Sequence, residues 1–437
     1  VHPVLERALA REVSDWKRET GERGARVGYS VQDERTGLKV EQHGGEHFPP
    51  ASNHKLWVTV AALLKWSPDH PFVTRFGLHG DTLWIRGGGD PLFAADGLER
   101  VVRWMKRRGH RSVRVWLDDS LFPPERHAPG WTVDDLDAGW AAPVHALNLE
   151  YNRVTVSVKK GKDDRPVPVP TGPAAHRLFA DFSGLRFSDD PDSRCSILRT
   201  GKFRYRISGM IHRDEEEIEC AVRPGLSLFR TVFGDLLGKA GVSVSRWISG
   251  SIPEEWEKHG ADLSVSPLRD VLCIINRESR NLAAEVLLRM IGLDAEGKAE
   301  RETGIAAAGK ILKSAGFEGP AFSADGSGLS VYNLSSPDSL CRLLTGMRHH
   351  PSFPVFFSSL PEYGKSGTLK NRPPLPKGWT VRAKTGTLSG VKTLSGYLLR
   401  DGKVSHSFSL MICGLLSGFR GEQLQDRFIR VLLRETE

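Results

Sequence analysis

Ser52 and Lys55 stand three residues apart in Pro50-Ala51-Ser52-Asn53-His54-Lys55-Leu56-Trp57, where turn-formers give way to an apolar run reaching Leu63-Leu64. That change predicts a helix starting near Ser52. A three-residue spacing then puts both side chains on one face. A helix start also offers backbone N–H groups without partners and favours negative charge. A hydroxyl, an amine one turn away and free N–H groups are the minimum parts of an acyl-transfer site. Alone the pair is weak, because a serine cap followed by a surface lysine explains it more simply.

Two later stretches reverse that balance. Asn276-Arg277-Glu278-Ser279-Arg280-Asn281 leads into the apolar run Leu282-Ala283-Ala284-Glu285-Val286-Leu287-Leu288. Ser279 and Asn281 sit just before or at a helix start, and in a loop that spacing aims both side chains at one cavity. The hydroxyl is suited to relaying a proton and the amide to holding a peptide group. The third stretch, Val381-Arg382-Ala383-Lys384-Thr385-Gly386-Thr387-Leu388, closes a strand-like segment. Lys384 supplies a fixed positive charge and Thr385 and Thr387 supply hydroxyls, while Gly386 lets a ligand approach the backbone. A strand edge with these groups suits an extended peptide ending in a carboxylate. Lys365-Ser366-Gly367-Thr368 is a similar triplet, but it lies in a glycine- and proline-flanked loop, so the strand context favours Lys384.

The elements that must position these groups read as one α/β domain split by an insertion. Val4 to Lys17 has apolar positions at helical spacing, Ala25 to Gln42 reads as a hairpin turning at Arg35-Thr36-Gly37, and the Ser52 helix follows. Within the insertion, Thr82 to Ile85 and Ser112 to Leu117 read as strands around a helix at Leu98 to Arg108. Gly87-Gly88-Gly89-Asp90-Pro91 reads as a tight turn at a strand end, since no Walker-type helix follows. Residues 151–219 are polar and proline-marked, with short strands such as Val154 to Val158. The acidic run Asp214-Glu215-Glu216-Glu217 reads as a solvated turn. Ser227 to Ala240 reads as a helix and Val242 to Ser249 as a strand. Helical periodicity returns at Leu268 to Gly292 and at Gly304 to Ala315. Ser405 to Leu416 reads as a strand and Gln423 to Arg434 as a final helix.

Composition narrows the class of protein. At 437 residues the chain is long enough for two to four domains, and 39% hydrophobic with 26% charged residues is ordinary for globular proteins. A net charge of +8 suits an anionic partner such as a cell-wall polymer, although solubility accounts for it equally well. No zinc-finger spacing, aromatic RNA-binding signature or basic tail points to nucleic acid. The five cysteines, Cys195, Cys220, Cys273, Cys341 and Cys413, are odd in number and widely spaced, so neither a disulfide scaffold nor a zinc site is expected. No apolar stretch is long enough to span a membrane. The opening Val1-His2-Pro3 lacks a starting methionine, as expected of a processed or trimmed N-terminus, and leaves room for the removal of a signal peptide.

Ser-x-x-Lys, Ser-x-Asn and Lys-Thr-Gly in this order resemble the penicillin-binding protein and serine β-lactamase superfamily. The long separation between Ser52 and Ser279 narrows the resemblance to the D-alanyl-D-alanine carboxypeptidase/endopeptidase family, the class C low-molecular-mass penicillin-binding proteins (peptidase family S13). Gly87 to Pro91, Asp118-Asp119-Ser120-Leu121-Phe122, Asp325-Gly326-Ser327-Gly328-Leu329-Ser330 and Gly367-Thr368-Leu369-Lys370-Asn371-Arg372 resemble the same family. Residues 151–219 carry no specific likeness. Arg280 is not the residue most expected between Ser279 and Asn281, and it bears on specificity more than on catalysis.

The resemblance implies a β-lactamase/transpeptidase-like α/β (α+β) domain, an antiparallel sheet flanked by helices. It would occupy 1–67 and 263–437, with an inserted α/β domain at 68–150 and 220–262 and a nested β domain at 151–219. It further implies an extracytoplasmic enzyme acting on peptidoglycan stem peptides, needing no cofactor or metal, and acylated by β-lactams. Ser52 would be the nucleophile, Lys55 its base and Ser279 a proton relay. Asn281, Lys384, Thr385, Gly386 and Thr387 would bind substrate, with the Ser52 and Thr387 backbone N–H groups as oxyanion hole. In the family, residues of the insertion line the pocket for the free side chain of the stem, and Trp131 and Asp134 are the candidates here; a capping aspartate beside a buried tryptophan is as good a reading of that pair. A β-lactamase or esterase on the same scaffold differs in deacylation speed, which sequence does not reveal. A catalytically dead peptidoglycan-binding protein would not need all three boxes intact.

Overall fold

The structure, a computed structural model, describes residues 3–124, 127–223 and 225–435. The Val1-His2 start lies outside them. The described residues fall into two units, one within the bounds Val1–Asp69, Ala128–Gly130 and Leu272–Glu437, the other within His70–His127 and Trp131–Val271.

The first unit is built on a five-stranded antiparallel sheet. Its order is Trp379–Leu388, Val391–Arg400, Lys403–Cys413, Arg26–Asp33 and Lys39–Gln42. The strands joining the two chain ends pair in continuous register, from Arg26 opposite Cys413 to Asp33 opposite His406. The first helix, Pro3–Thr20, buries Leu5, Leu9, Val13 and Trp16. They join Leu424, Phe428, Ile429 and Leu432 of the last helix, Gly418–Glu435, in a core that includes Val27, Tyr29, Leu394, Phe408 and Leu410 of the sheet. Helix Pro337–Met347 also packs on the sheet: the Leu344 carbonyl accepts from the Tyr397 hydroxyl at 2.8 Å. Strand Val391–Arg400 is therefore buried almost from end to end. Covering a sheet with helices on both faces yields such continuous apolar runs and a rigid platform.

The second unit has its own five-stranded sheet, ordered Ser243–Ser249, Ser112–Asp118, Thr82–Gly88, Pro71–His79 and Ala261–Pro267. The first three strands run parallel, and the pairs made by Pro71–His79 are antiparallel. Helices Ala95–Arg107 and Ser227–Lys239 bury Leu98, Val101, Phe229 and Phe233 in the same core as Val113, Val115 and Leu117. Two three-stranded sheets complete the unit, Glu215–Ala221/Arg153–Lys160/Pro166–Thr171 and Phe179–Phe187/Arg204–Ile211/Cys195–Gly201. The glycines before Asp90 serve packing: a Cβ on Gly88 would collide with the Val73 carbonyl, and Gly89 lies at φ +73° and donates to the Ala146 carbonyl at 3.1 Å.

Two local expectations are corrected. The acidic run is not a turn, since Glu215–Ala221 is a strand with Ile218 and Cys220 inward and Glu215 and Glu217 outward. The periodic stretch from Leu268 to Gly292 is two helices, Leu268–Arg277 and Asn281–Glu296, and the break between them holds Ser279 at φ +59°. All five cysteines are free. No described helix is long and apolar enough to cross a membrane.

Candidate active site

Ser52 lies in a single 3-10 turn, Ala51–His54, that runs straight into helix Lys55–Lys65. The cap positions fall on Pro50 and His54 rather than on Ser52, whose hydroxyl instead faces Lys55. Tight contacts on both sides fix the turn. Ala51 itself sits at φ +46°, and Gly328, at φ +79°, packs so closely that a Cβ would run into the Ala51 carbonyl. On the sheet side Thr393 Oγ1 donates to the Pro50 carbonyl at 2.9 Å. A Cβ on Gly386 would collide with that hydroxyl and reach 2.9 Å from the Pro50 oxygen, so glycine permits the close approach of strand and turn. The buried Asn53 amide, oriented by its neighbours, donates to the Lys384 carbonyl at 2.8 Å and accepts from Ser395 Oγ at 2.6 Å.

Lys55 is fully buried. Its Nζ donates to Ser52 Oγ at 2.9 Å, Asn281 Oδ1 at 2.7 Å and the Ser327 carbonyl at 2.5 Å. Three acceptors satisfy an ammonium. A neutral amine keeps two of these bonds and turns its lone pair toward the serine hydroxyl. Burial pushes Lys55 down to about 7, against the opposing pull of the Asp325 and Glu285 charges. A lysine poised there is half neutral at physiological pH, as a general base requires.

Lys384 is equally buried and lies in strand Trp379–Leu388, the edge of the sheet. Its Nζ donates to Ser279 Oγ at 2.8 Å and to the Thr385 carbonyl at 2.9 Å. Burial, and then the Lys55 charge, hold it well below an ordinary lysine. The edge is partly covered: the Ala383 N–H donates to the Pro361 carbonyl at 3.1 Å, away from the sheet. The two-residue repeat of a strand points the Thr385 and Thr387 N–H groups the same way, past the end of that cover. Thr385 Oγ1 bonds to Thr368 Oγ1 at 2.7 Å, and Thr387 is exposed. The competing triplet has a different setting. Lys365 is an exposed side chain paired with Glu362, 2.5 Å away, and Gly367–Leu369 is a short 3-10 turn.

The structure thus ties Ser52 and Asn281 to Lys55, and Ser279 to Lys384, with the two lysines close enough for the charge of Lys55 to act on Lys384 and with Thr385, Gly386 and Thr387 continuing along the strand. Trp131 and Asp134 belong to the second unit. Asp134 is exposed in the 3-10 turn Val133–Asp135, and the half-buried Trp131 ring lies 5.7 Å from the His127 ring.

Sequence reasoning missed the buried charges behind Lys55. Glu285 Oε1 accepts from the Gly326 and Ser327 N–H groups, both at 2.9 Å, and so sets the loop whose carbonyl receives Lys55. Arg289 lies 3.3 Å and Arg301 3.9 Å from its other oxygen. Asp325 accepts from the Gly328 and Ser330 N–H groups at 2.8 and 2.7 Å and from Asn333 Nδ2 at 2.7 Å. His54, neighbour to Lys55, is pushed down to about 4 by burial and stays neutral at physiological pH. The available signal was an acidic residue inside an otherwise apolar helix at Ala284-Glu285-Val286, a position that seldom carries charge unless it is paired.

A helix-flanked antiparallel sheet bearing this set on one side has the architecture of the penicillin-binding protein and β-lactamase-like class. The crystal structure of penicillin binding protein 4 (dacB) from Haemophilus influenzae superposes with a TM-score of 0.76 at 22% identity, covering 96% of this chain and 99% of that one. The D-alanyl-D-alanine carboxypeptidase of Actinomadura sp. (strain R39) is 30% identical over 86% of this chain and 75% of its own length. The D-alanyl-D-alanine carboxypeptidase DacB of H. influenzae is 24% identical over 90% and 87%. The D-Ala-D-Ala carboxypeptidase 3 (S13) family model matches residues 9–434. The chain belongs to that family and is a serine-type D-Ala-D-Ala carboxypeptidase, a hydrolase.

Proposed function

We propose that Ser52 carries the acyl group. The reading rests above all on one contact, the fully buried Lys55 Nζ at 2.9 Å from Ser52 Oγ. Ser52 Oγ attacks the carbonyl carbon of the penultimate D-alanine and its proton passes to neutral Lys55. The tetrahedral oxyanion is held by the Ser52 and Thr387 backbone N–H groups, each such donor being worth roughly 3 kcal/mol. Ser279, tied to Lys384, delivers a proton to the leaving nitrogen as the C–N bond breaks, and D-alanine departs. Water then attacks the ester, giving up its proton as the serine is released. Asn281 orients the substrate amide.

Lys384, Thr385 and Thr387 grip the terminal carboxylate. Lys384 is buried with no carboxylate partner among the described residues, so the substrate carboxylate supplies its counter-charge. Gly386 keeps the strand close to the serine turn.

The substrate is the peptidoglycan stem peptide, as free termini and as cross-links, which places the enzyme outside the cytoplasm. β-Lactams acylate the same serine. A relative of this fold is described as complexed with a β-lactam, which supports that reading. Asp134, exposed beside Trp131, pairs with the ammonium of a diaminopimelate side chain. The separate small sheets of residues 151–219 support treating them as a nested subdomain between 68–150 and 220–262. The direct assay is release of D-alanine from an acylated peptide ending in D-Ala-D-Ala. Lys55→Met is expected to abolish it, and turnover unaffected by that change contradicts the assignment of the base. A β-lactamase would instead turn nitrocefin over continuously.

A further inference from the structure

The second unit carries a basic groove of about 570 Å³ that the catalytic chemistry does not use. It runs between helix Ser227–Lys239, strand Ser243–Ser249 and the Gly201–Arg204 turn of the small sheet. Four cations line it, Arg177, Lys202, Arg204 and Arg230, against one carboxylate, Asp235. That carboxylate is already neutralised: Arg177 reaches it at 2.5 Å and His176 Nε2 at 2.9 Å. Lys202, Arg204 and Arg230 are exposed and have no acidic partner among the described residues. Rings accompany the charges. Phe179 is 60% exposed with the Arg204 guanidinium 5.1 Å from its centroid, and the half-buried Trp247 also lines the groove.

Phe179 and the cations around it offer a ligand an apolar face and positive charge side by side. The cations ask for carboxylates or phosphates. The ring faces ask for flat apolar surfaces such as the C–H faces of sugars. A peptidoglycan strand offers both, in pyranose rings and the free carboxylates of its stems. We propose that this groove is a second binding site for peptidoglycan, separate in chemistry from the Ser52 site, which holds the enzyme to the polymer. The choice of polymer rests on the function proposed above; the groove's preference for an anionic, ring-bearing chain does not.

The test is co-sedimentation of the full chain with purified peptidoglycan sacculi, alongside turnover of a small soluble D-Ala-D-Ala peptide. Lys202→Glu with Arg204→Glu should weaken sedimentation about tenfold at low salt, and raising the ionic strength should weaken the wild type similarly. Phe179→Ala should weaken it less, by about threefold. Soluble-peptide turnover should stay within about twofold in all of them, which also shows that they fold. The milder Lys202→Gln with Arg204→Gln serves if the double reversal fails to fold. Sedimentation unchanged in the variants overturns the proposal. So does binding that vanishes when phosphodiester polymers are stripped from the sacculi, because the ligand is then that polymer. If soluble-peptide turnover is absent in the wild type, the catalytic reading fails while the groove remains tested by sedimentation.

Discussion

Lys384 Nζ lies 2.8 Å from Ser279 Oγ, so the edge strand and the break between two helices meet at one hydrogen bond. Ser279 is held at φ +59°, where a non-glycine residue costs energy unless its surroundings fix it. The strained backbone turns the hydroxyl toward the strand, and the lysine keeps it there. Ser279→Ala should slow acylation by penicillin about a hundredfold or more, the usual worth of a positioned proton carrier. The thermal midpoint should change little. An acylation rate within a few-fold of the wild type would remove Ser279 from the proton path.

Lys55 sets the pH dependence. With its amine at about 7, acylation should rise with pH through the neutral range and level off above it. The groups facing this amine are Asp325, Glu285 and Lys384, with Arg289 and Arg301 behind Glu285. Negative charge on Glu285 holds the Lys55 proton on, so Glu285→Gln should move the rising limb to lower pH. Glutamine still offers an oxygen to the Gly326 and Ser327 N–H groups, so the loop is kept. A limb that moves upward, or not at all, contradicts this electrostatic role. The same burial affects stability. Because Lys55 titrates lower in the folded chain than the ordinary lysine value of about 10.4, the unfolded chain binds more protons between the two values. Wild-type stability relative to Lys55→Met should therefore rise from pH 7 to pH 10.

Gly328 is the steric counterpart of the serine turn. At φ +79°, with the Ala51 carbonyl where a Cβ would go, Gly328→Ala meets both strain and collision. We expect a loss of about 2 kcal/mol or more in unfolding free energy and slower acylation, since the turn must shift. A fully active and equally stable variant would show that the turn tolerates displacement.

Asp134 is exposed in the second unit. If it reads the stem, Asp134→Asn should lower kcat/KM for diaminopimelate-containing peptides by about tenfold while leaving lysine-containing peptides less affected. Equal turnover of both, unchanged by the substitution, would falsify that role.

Much of the site was legible because its groups come as short local patterns. Ser52 and Lys55 share a helical face, and Lys384, Thr385 and Thr387 follow one another along a strand. Long-range partners were not legible. Glu285 sits among Ala283, Ala284, Val286 and Leu287, and nothing local says that its carboxylate caps the Gly326-Ser327 backbone. The helix start beside Ser279 was legible, but the apolar period that Leu268 to Gly292 keeps on both sides of it did not show that the preceding helix ends at Arg277. The strand Glu215–Ala221 was hidden by its charges. Outward glutamates alternate with Ile218 and Cys220, and a half-buried strand shows only its inward residues as apolar. The five-stranded sheet itself joins residues near both chain ends, a pairing that no local window contains.

The most direct test of the whole account is the intact mass of the protein after incubation with penicillin. The wild type should gain one penicilloyl adduct, mapping to the peptide that contains Ser52, and Ser52→Ala should gain none. An adduct that persists in Ser52→Ala, or that maps to another residue of the wild type, would contradict the assignment of the nucleophile.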